Sequence, residues 1–328
     1  MVAPVTLPDA GPTLPVACVN GHITLRKATP AVMFVLDRSG SMSTAFGKTT
    51  RWQGLTAALA ATLPSIAKEM EIGGFFFPAP GNNRSCSLEN ATTLAPAFDN
   101  VDSLLSQMLI TLPGGQTPTA PALERAGALI SGVRAATSAR ALVLATDGAP
   151  NCNNQLNPNG CVCANNLGGG CRTSQMCLDD VRTVSQIASL KRGGLPTYVI
   201  GIQDANDRLL VATLNAMAKA GGRPRAGAQS YYGASSQAEI ESALVSIRDQ
   251  VGSCVFLTTS VPDEKGRIEV RVNGSLIAPA DGGLDGWEWG NQANGELVIG
   301  GAPCEATAKL VDPTVEAVVV CSQPDAGR

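Results

Sequence analysis

Two carboxylates and three hydroxyls occupy positions in the sequence from which they could together bind a metal ion. Asp37, Ser39 and Ser41 lie within "FVLDRSGSMS", directly after a run of apolar residues. Asp147 follows a second apolar run, "ALVLAT", and Thr117 lies between them in the glycine-rich stretch "PGGQTPTAPAL". All five side chains offer oxygen, and none offers nitrogen or sulfur. Such a donor set suits Mg²⁺, or Mn²⁺ or Ca²⁺, rather than zinc or copper.

The elements that would position these residues belong to an α/β domain predicted between residues 30 and 252. Four runs are apolar throughout and have the length of strands covered on both faces: "AVMFVL", "IGGFFF", "RALVLAT" and "TYVIGI". Between them, apolar residues recur at helical spacing, as from Trp52 to Ile66 and from Ile240 to Val251. Strands that alternate with helices predict a doubly wound, mostly parallel sheet with helices on both faces.

The predicted sheet explains how residues far apart in sequence could form one site. Ligands of an open α/β sheet bind beyond the carboxyl ends of its strands. Asp37 and Asp147 each follow such an end, so the five side chains converge if their strands are neighbours. Aspartate and serine after a strand are also ordinary turn residues. The addition of Thr117 and Asp147 in order favours a metal site over that alternative.

The three motifs resemble, in the same order, those of von Willebrand factor type A (vWA) domains. "DRSGS" matches the family's DxSxS motif, "GGQTPTAPAL" its threonine loop and "ATDGAP" its TDG motif. The resemblance implies an intact metal-ion-dependent adhesion site with Ser39, Ser41 and Thr117 as ligands. Asp37 and Asp147 would bind the ion directly or through water. It also implies an integrin-like adhesive module, in which an acidic side chain of a protein partner completes the coordination.

A different pattern begins at residue 253. "GRIEVRVNG" and "VEAVVVC" alternate apolar and polar residues with period two, and no helical period is visible between them. The segment "CVNGHITL" near the start of the chain also has the pattern of a strand. We therefore predict a smaller all-β module formed by residues 16–29 and 253–328. Residues 1–15 are predicted to be a flexible, proline-rich lead.

Ten cysteines indicate the compartment. An even number, mostly beside glycine and asparagine, predicts disulfides formed outside the cytoplasm. A zinc cluster at "CVCANNLGGGC" is the competing interpretation, but that loop lacks paired CxxC motifs and His22 is the only histidine. In a vWA topology the metal site and the termini lie at opposite ends, so we predict three disulfides within one set of cysteines and two within another. The first set is Cys86, Cys152, Cys161, Cys163, Cys171 and Cys177. The second set is Cys18, Cys254, Cys304 and Cys321.

The loop from Gly148 to Leu178 follows Asp147 directly and carries five of the ten cysteines. Loops of this length inside a domain are usually functional. We predict a disulfide-linked recognition loop on the rim of the metal site. Its partner-facing residues are predicted to be Asn151, Asn153 and Asn154. The alternative is that the loop only covers the rim.

Composition excludes several classes of protein. The 328 residues carry a net charge of −3 without a basic stripe, which argues against nucleic acid as a partner. No apolar run approaches the roughly 20 residues of a membrane-spanning helix. One histidine and no HxxE-like cluster argue against a metal-dependent hydrolase. We predict a protein without enzymatic activity that is secreted or lies at the cell surface. An N-terminal signal, since removed, or a lipid anchor could account for that location. The alternative function is a structural subunit of a surface fibre or motility apparatus, with other proteins of that apparatus as partners.

Overall fold

The computed structural model describes most of the chain. The described residues are 17–82, 85–132, 138–164, 171–202, 208–225, 227–264, 266–281 and 285–322. They divide into two units. The α/β unit comprises Pro30–Ile130 and Arg140–Arg248, and the β unit comprises the described residues among 1–29, 131–139 and 249–328. The predicted proline-rich lead at residues 1–15 lies outside the described residues.

The strands are numbered along the chain. They are β1 (Gly21–Thr24), β2 (Arg26–Lys27), β3 (Thr29–Asp37), β4 (Ala45–Phe46), β5 (Thr49–Thr50), β6 (Glu71–Phe77), β7 (Thr93–Ala97), β8 (Ser138–Thr146), β9 (Thr197–Ile202), β10 (Tyr232–Ala234), β11 (Val255–Leu257), β12 (Arg267–Val272), β13 (Ser275–Ile277), β14 (Gly286–Asn291), β15 (Glu296–Gly300) and β16 (Val315–Val320). The helices are α1 (Arg51–Thr62), α2 (Val101–Ile110), α3 (Thr119–Ser131), α4 (Asp180–Arg192), α5 (Arg208–Ala220), α6 (Gln237–Ser253) and α7 (Gly301–Ala308). Among these residues, no helix is both long and apolar enough to cross a membrane.

The α/β unit is built on a six-stranded sheet with the strand order β10-β9-β8-β3-β6-β7. The pairs β3–β6, β8–β9 and β9–β10 are parallel, and β7, at one edge, pairs antiparallel with β6. All six residues of β9 are buried, as are eight of the nine residues of β3. The sheet is therefore covered on both faces, which confirms the prediction of a mostly parallel α/β fold.

The four continuous apolar runs of the sequence form the strands β3, β6, β8 and β9. The apolar period from Trp52 to Ile66 does not form one helix, because α1 ends at Thr62 and the 3₁₀ turn Leu63–Ile66 follows. Pro64 explains the change, since proline has no N–H to donate and its ring clashes with the preceding turn of an α-helix.

The β unit contains two four-stranded sheets. Their strand orders are β1-β16-β12-β13 and β14-β15-β11-β2, and each pairing is antiparallel. Val270, Leu297 and Ala317 lie fully buried in its core. "CVNGHITL" supplies β1, which pairs with β16 near the end of the chain. The two terminal segments therefore both contribute strands to the β unit.

The β unit also contains helix α7, which the sequence did not predict. The eight residues of α7 bury only Cys304 and Thr307, so no apolar period marks the helix in the sequence. The disulfide between Cys254 and Cys304 ties α7 to the residue that precedes β11. The smaller module is therefore mainly, but not entirely, β-structured.

All ten cysteines form disulfides, which agrees with the oxidising compartment predicted and argues against a zinc cluster. The predicted division into two sets is also confirmed. The pairs are Cys86–Cys152, Cys161–Cys177 and Cys163–Cys171 in the first set, and Cys18–Cys321 and Cys254–Cys304 in the second. The individual pairings were left open by the sequence.

Candidate metal site at the carboxyl edge of the sheet

Asp37 lies at the carboxyl end of β3, beside the end of its neighbour β8. The hydroxyl of Thr146, the last residue of β8, donates a hydrogen bond of 2.5 Å to Asp37 Oδ2. The backbone N–H of Ser39 donates to Asp37 Oδ1 at 2.8 Å. Asp37 is fully buried. The two strand ends thus meet, which is the condition that the predicted site required, and both oxygens of this carboxylate are held in fixed directions.

The two serines of the DxSxS motif connect this end of β3 to Asp147. Ser39 Oγ and Ser41 Oγ lie 3.0 Å apart, within hydrogen-bonding distance. Ser41 Oγ donates to Asp147 Oδ1 at 2.7 Å. Asp147 is buried, whereas Ser41 is exposed on the 3₁₀ turn Gly40–Ser43. The cluster is therefore anchored in the protein and opens to solvent at Ser41.

The hydroxyl of Thr117 faces the same space as that of Ser41. A methyl group placed on Gly148 would lie 3.5 Å from Ser41 Oγ and 3.5 Å from Thr117 Oγ1. Among the described residues, the Thr117 hydroxyl has no hydrogen-bond partner. The structure therefore brings all five predicted side chains into one cluster, and Ser41 and Thr117 border the small space that Gly148 leaves open. Their oxygens fit a hard divalent cation such as Mg²⁺. Metal binding itself stays a prediction.

Arg38, the second residue of "DRSGS", ties the threonine loop to the end of β3. Its backbone carbonyl accepts a hydrogen bond from Gly114 N at 2.7 Å. Its buried guanidinium donates through Nε to the carbonyl of Leu112 at 3.0 Å and through Nη1 to that of Pro78 at 3.0 Å. No sequence pattern indicates this role of Arg38, because the motif does not show which backbone carbonyls its arginine will bind.

Asn151 ties the threonine loop to the loop after β8. Its Oδ1 accepts a hydrogen bond from Thr117 N at 2.8 Å, and its Nδ2 donates to Gln116 Oε1 at 2.9 Å. The prediction that Asn151 faces a partner does not fit its position, since only 3% of the residue is exposed. Its contacts are those of a residue that positions Thr117.

Asn153 is likewise turned inward. Its Nδ2 donates to Asp179 Oδ1 at 2.7 Å, and Asp179 also forms an ion pair with Arg182. Asn153 is buried, and Asn154 is exposed. Contact between this loop and a partner stays a prediction. Of the three asparagines proposed for it, only Asn154 offers an exposed side chain.

Arg51 also belongs to the site, although no motif in the sequence marks it as a site residue. Its Nη1 lies 2.6 Å from Asp147 Oδ2. Arg51 is the first residue of α1, whose start is marked by a capping box of Thr50 and Gln53. The capping residues could have located the helix start from the sequence. Only the fold shows that this start lies beside Asp147.

Two buried carboxylates close together resist ionisation. Burial, followed by the charge of Asp147, raises the pKa of Asp37 from 3.8 to about 7, against the lowering effect of hydrogen bonds from Thr146 and Ser39. Burial also raises the pKa of Asp147, although Arg51 and Ser41 oppose that shift. Because nearby positive charge favours the ionised form of a carboxyl group, the pair is suited to a bound cation.

Two disulfides link the loop after Asp147 internally, and a third fixes its beginning. Cys161–Cys177 and Cys163–Cys171 join residues within the loop. Cys86–Cys152 connects the residue after Asn151 to the segment between β6 and β7. This confirms a disulfide-linked loop beside the five side chains.

The fold and the site together define a class of protein. Residues 32–149 match the family model of the von Willebrand factor type A domain. This range contains the five side chains of the candidate site. The match supports, for this part of the α/β unit, the vWA resemblance of the three sequence motifs. No curated protein matched the sequence.

Solved structures resemble the chain in fold. The pilus adhesin SpaC from Lactobacillus rhamnosus GG aligns with a TM-score of 0.52 and 15% identity, over 90% of this chain and 40% of its own. The open conformation of SpaC aligns with a TM-score of 0.51 and 16% identity, over 93% of this chain and 40% of its own. The vWF domain of the type V pili tip protein Mfa5 from Porphyromonas gingivalis aligns with a TM-score of 0.48 and 14% identity. That alignment covers 67% of this chain and 94% of the Mfa5 domain. At these identities the likeness to SpaC concerns the fold alone. The chain spans 40% of the length of SpaC.

Proposed function

We propose that this protein is an adhesive or protein-binding module that acts outside the cell through a divalent cation. The observation that carries the proposal is one cluster of five oxygen-bearing side chains at the carboxyl edge of the sheet, with Ser41 and Thr117 beside Gly148. The cluster lies within the residues that match the vWA family model. The side chains come from three separate segments of the α/β unit. An arrangement of this kind is expected where several groups act on one ligand.

The five site residues would play two different roles in binding Mg²⁺, Mn²⁺ or Ca²⁺. The hydroxyls of Ser39, Ser41 and Thr117 would bind the ion without adding charge. Asp37 and Asp147 would bind it directly or through water and supply the negative charge. When bound, the cation supplies a positive charge at the solvent-facing edge of the site, and a glutamate or aspartate of a partner would complete its coordination.

Apolar side chains exposed near the threonine loop support a role in binding proteins. Leu109, Ile110 and Leu112 are 76%, 74% and 78% exposed. The carbonyl of Leu112 is held by Arg38, between Asp37 and Ser39 in sequence, so this apolar group lies close to the candidate site. A partner that reaches the cation with a carboxylate would have apolar surface to bury beside it.

The disulfides and the structural neighbours support a location outside the cytoplasm. Five disulfides in one chain are typical of secreted or surface proteins. SpaC, which shares the fold, is described as a pilus adhesin. Proteins of a surface apparatus are therefore proposed as partners. A non-enzymatic role is favoured because His22 lies on β1, outside the α/β unit, and the five site residues include no histidine.

A metal titration followed by a binding assay tests the proposal. Calorimetry should show Mg²⁺ binding by the wild-type protein and none by Asp147→Ala, while both unfold cooperatively. Asp102→Ala, an exposed aspartate on α2, is the matched control and should bind Mg²⁺ as the wild type does. A pull-down from surface extracts should then retain a partner in Mg²⁺ and lose it in EDTA and with Asp147→Ala.

The same experiments separate adhesion from the alternative function. Unaltered Mg²⁺ binding by Asp147→Ala would refute the metal site. Partner retention in EDTA would show that the cation is not the recognition element. If Mg²⁺ instead converts the purified chain from monomer to oligomer, as measured by light scattering, the protein is a structural subunit whose site serves assembly.

A further inference from the structure

Asp147 is already neutralised by a positively charged residue of the protein itself. Its Oδ1 accepts from Ser41 and its Oδ2 from Arg51, at 2.7 Å and 2.6 Å. The Asp147 side chain is fully buried, and that of Arg51 is 20% exposed. The cation that the site is proposed to bind therefore arrives beside a carboxylate that carries a guanidinium partner.

The position of Arg51 is set by the backbone around it. Arg51 begins α1 directly after the N-cap residue Thr50, whose hydroxyl accepts from Gln53 N while Gln53 Oε1 accepts from Thr50 N. Arg51 N also donates to the carbonyl of Thr44 at 3.1 Å. These bonds hold the backbone of Arg51 at a position from which its guanidinium reaches Asp147.

The charges of the site explain why Arg51 matters for a ligand. Asp37 and Asp147 together neutralise one divalent cation. Arg51 adds a positive charge that nothing in this set of residues balances once the cation is bound. Like charges close together repel, so Arg51 opposes entry of the cation. The excess positive charge is removed when an anion joins the site.

The guanidinium is also suited to bind that anion directly. Arginine offers five N–H donors in a planar fork that matches a carboxylate. Only Nη1 is engaged with Asp147, and the side chain reaches solvent. Among the described residues, Arg51 has no hydrogen-bond partner for its remaining side-chain nitrogens.

We propose that Arg51 selects for an acidic ligand at this site. It lowers the affinity of the ligand-free site for Mg²⁺, and it joins the bound cation in holding the carboxylate of the partner. The inference rests on the proposed metal-dependent function. It adds a specificity-determining residue to that function. Arg51 is expected to weaken binding of the cation and to strengthen binding of the carboxylate.

Two titrations of matched variants test the inference. The first measures Mg²⁺ binding by calorimetry for the wild type, Arg51→Gln, Arg51→Lys and Lys48→Gln. The second adds acetate to each protein saturated with Mg²⁺ and follows binding by NMR. Lys48 is an exposed residue between β4 and β5, so Lys48→Gln removes the same charge three residues away from Arg51.

Arg51→Gln should bind Mg²⁺ on the order of tenfold more tightly and acetate on the order of tenfold more weakly than the wild type. Arg51→Lys should lie nearer the wild type in both titrations, and Lys48→Gln should match it. Thermal unfolding of each variant verifies that it is folded.

The outcomes distinguish the inference from the function on which it rests. If the wild type fails to bind Mg²⁺, both are wrong. If the wild type binds Mg²⁺ and Arg51→Gln binds it equally or more weakly, the proposed function stands and the inference is overturned. Unchanged acetate binding by Arg51→Gln would equally overturn it, as would identical shifts with Lys48→Gln.

Discussion

Asn151 and Thr117 are joined by two hydrogen bonds although 34 residues separate them in the sequence. Thr117 N donates to Asn151 Oδ1 at 2.8 Å, and Asn151 N donates to the carbonyl of Thr117 at 2.9 Å. The loop after β8 thereby fixes the backbone of the threonine loop. The position of the Thr117 hydroxyl in the candidate site depends on a residue that is not itself proposed as a ligand.

Asn151→Ala should weaken Mg²⁺ binding about tenfold and lower the free energy of unfolding by about 1–3 kcal/mol. The stability loss is expected because the buried Thr117 N–H loses its acceptor. Calorimetric titration and urea unfolding measure the two effects. The exposed Asn154→Ala, three residues along the same loop, should change neither. Full Mg²⁺ affinity in Asn151→Ala would show that Thr117 is positioned without this bond.

The raised pKa of Asp37 predicts how pH acts on the metal-free protein. Because this pKa rises from 3.8 to about 7, folding favours the protonated carboxyl group. The stability contributed by Asp37 is fully present below pH 4 and is lost as pH rises toward 7 and above. In EDTA, the wild type should therefore lose more stability than Asp37→Asn between pH 5 and pH 8, as measured by thermal unfolding.

Protons and Mg²⁺ should compete for the same carboxylate. Since Asp37 must lose its proton to bind the ion, Mg²⁺ affinity should rise between pH 5.5 and pH 8. Calorimetry at the two pH values, in buffers of different ionisation enthalpy, would also count the protons released. Equal affinity at both pH values, with no proton release, would contradict an ionisation of Asp37 coupled to metal binding.

Gly148→Ala should weaken Mg²⁺ binding about tenfold while the free energy of unfolding changes little. The added methyl group would lie in ordinary contact with Ser41 Oγ and Thr117 Oγ1, at 3.5 Å from each, so the fold can accept it. It would, however, occupy part of the space that those hydroxyls face. Gly160→Ala is the control, because its nearest neighbour is Asn157 Nδ2 at 3.9 Å. Unaltered Mg²⁺ binding by Gly148→Ala would place the ion elsewhere.

Removal of two disulfides should have unequal effects. Cys86–Cys152 spans 66 residues and Cys163–Cys171 spans 8. By loop entropy, replacing each pair with serines should cost about 4 and about 2–3 kcal/mol, respectively. The first replacement should also weaken Mg²⁺ binding, because Cys152 follows Asn151. Denaturant unfolding and Mg²⁺ titration measure these effects. Peptide mapping without reduction tests the pairings, and a greater stability loss from the shorter loop would contradict the expected order.

The sequence by itself was enough to predict the α/β fold and to propose the residues of the candidate site. Continuous apolar runs predict buried strands wherever both faces of a sheet are covered, and β3, β6, β8 and β9 form at such runs. Asp37 and Asp147 directly follow the runs, which placed them at one edge of the sheet and, if their strands were neighbours, close together. The division of the cysteines into two sets followed from the topology that the vWA resemblance implied.

Only the tertiary structure decided how those residues are held and which charge accompanies them. Arg51 contacts Asp147, and Asn151 contacts Thr117, although each pair is far apart in the sequence. No local period or motif predicts such contacts. Asn151 and Asn153 lie in a polar loop, and from the sequence such residues were expected to be exposed. In the folded chain both are buried, and Asn153 donates a hydrogen bond to Asp179. Local patterns determine elements and their order. The pairing of side chains from different loops depends on how those elements pack, and packing is a property of the whole chain.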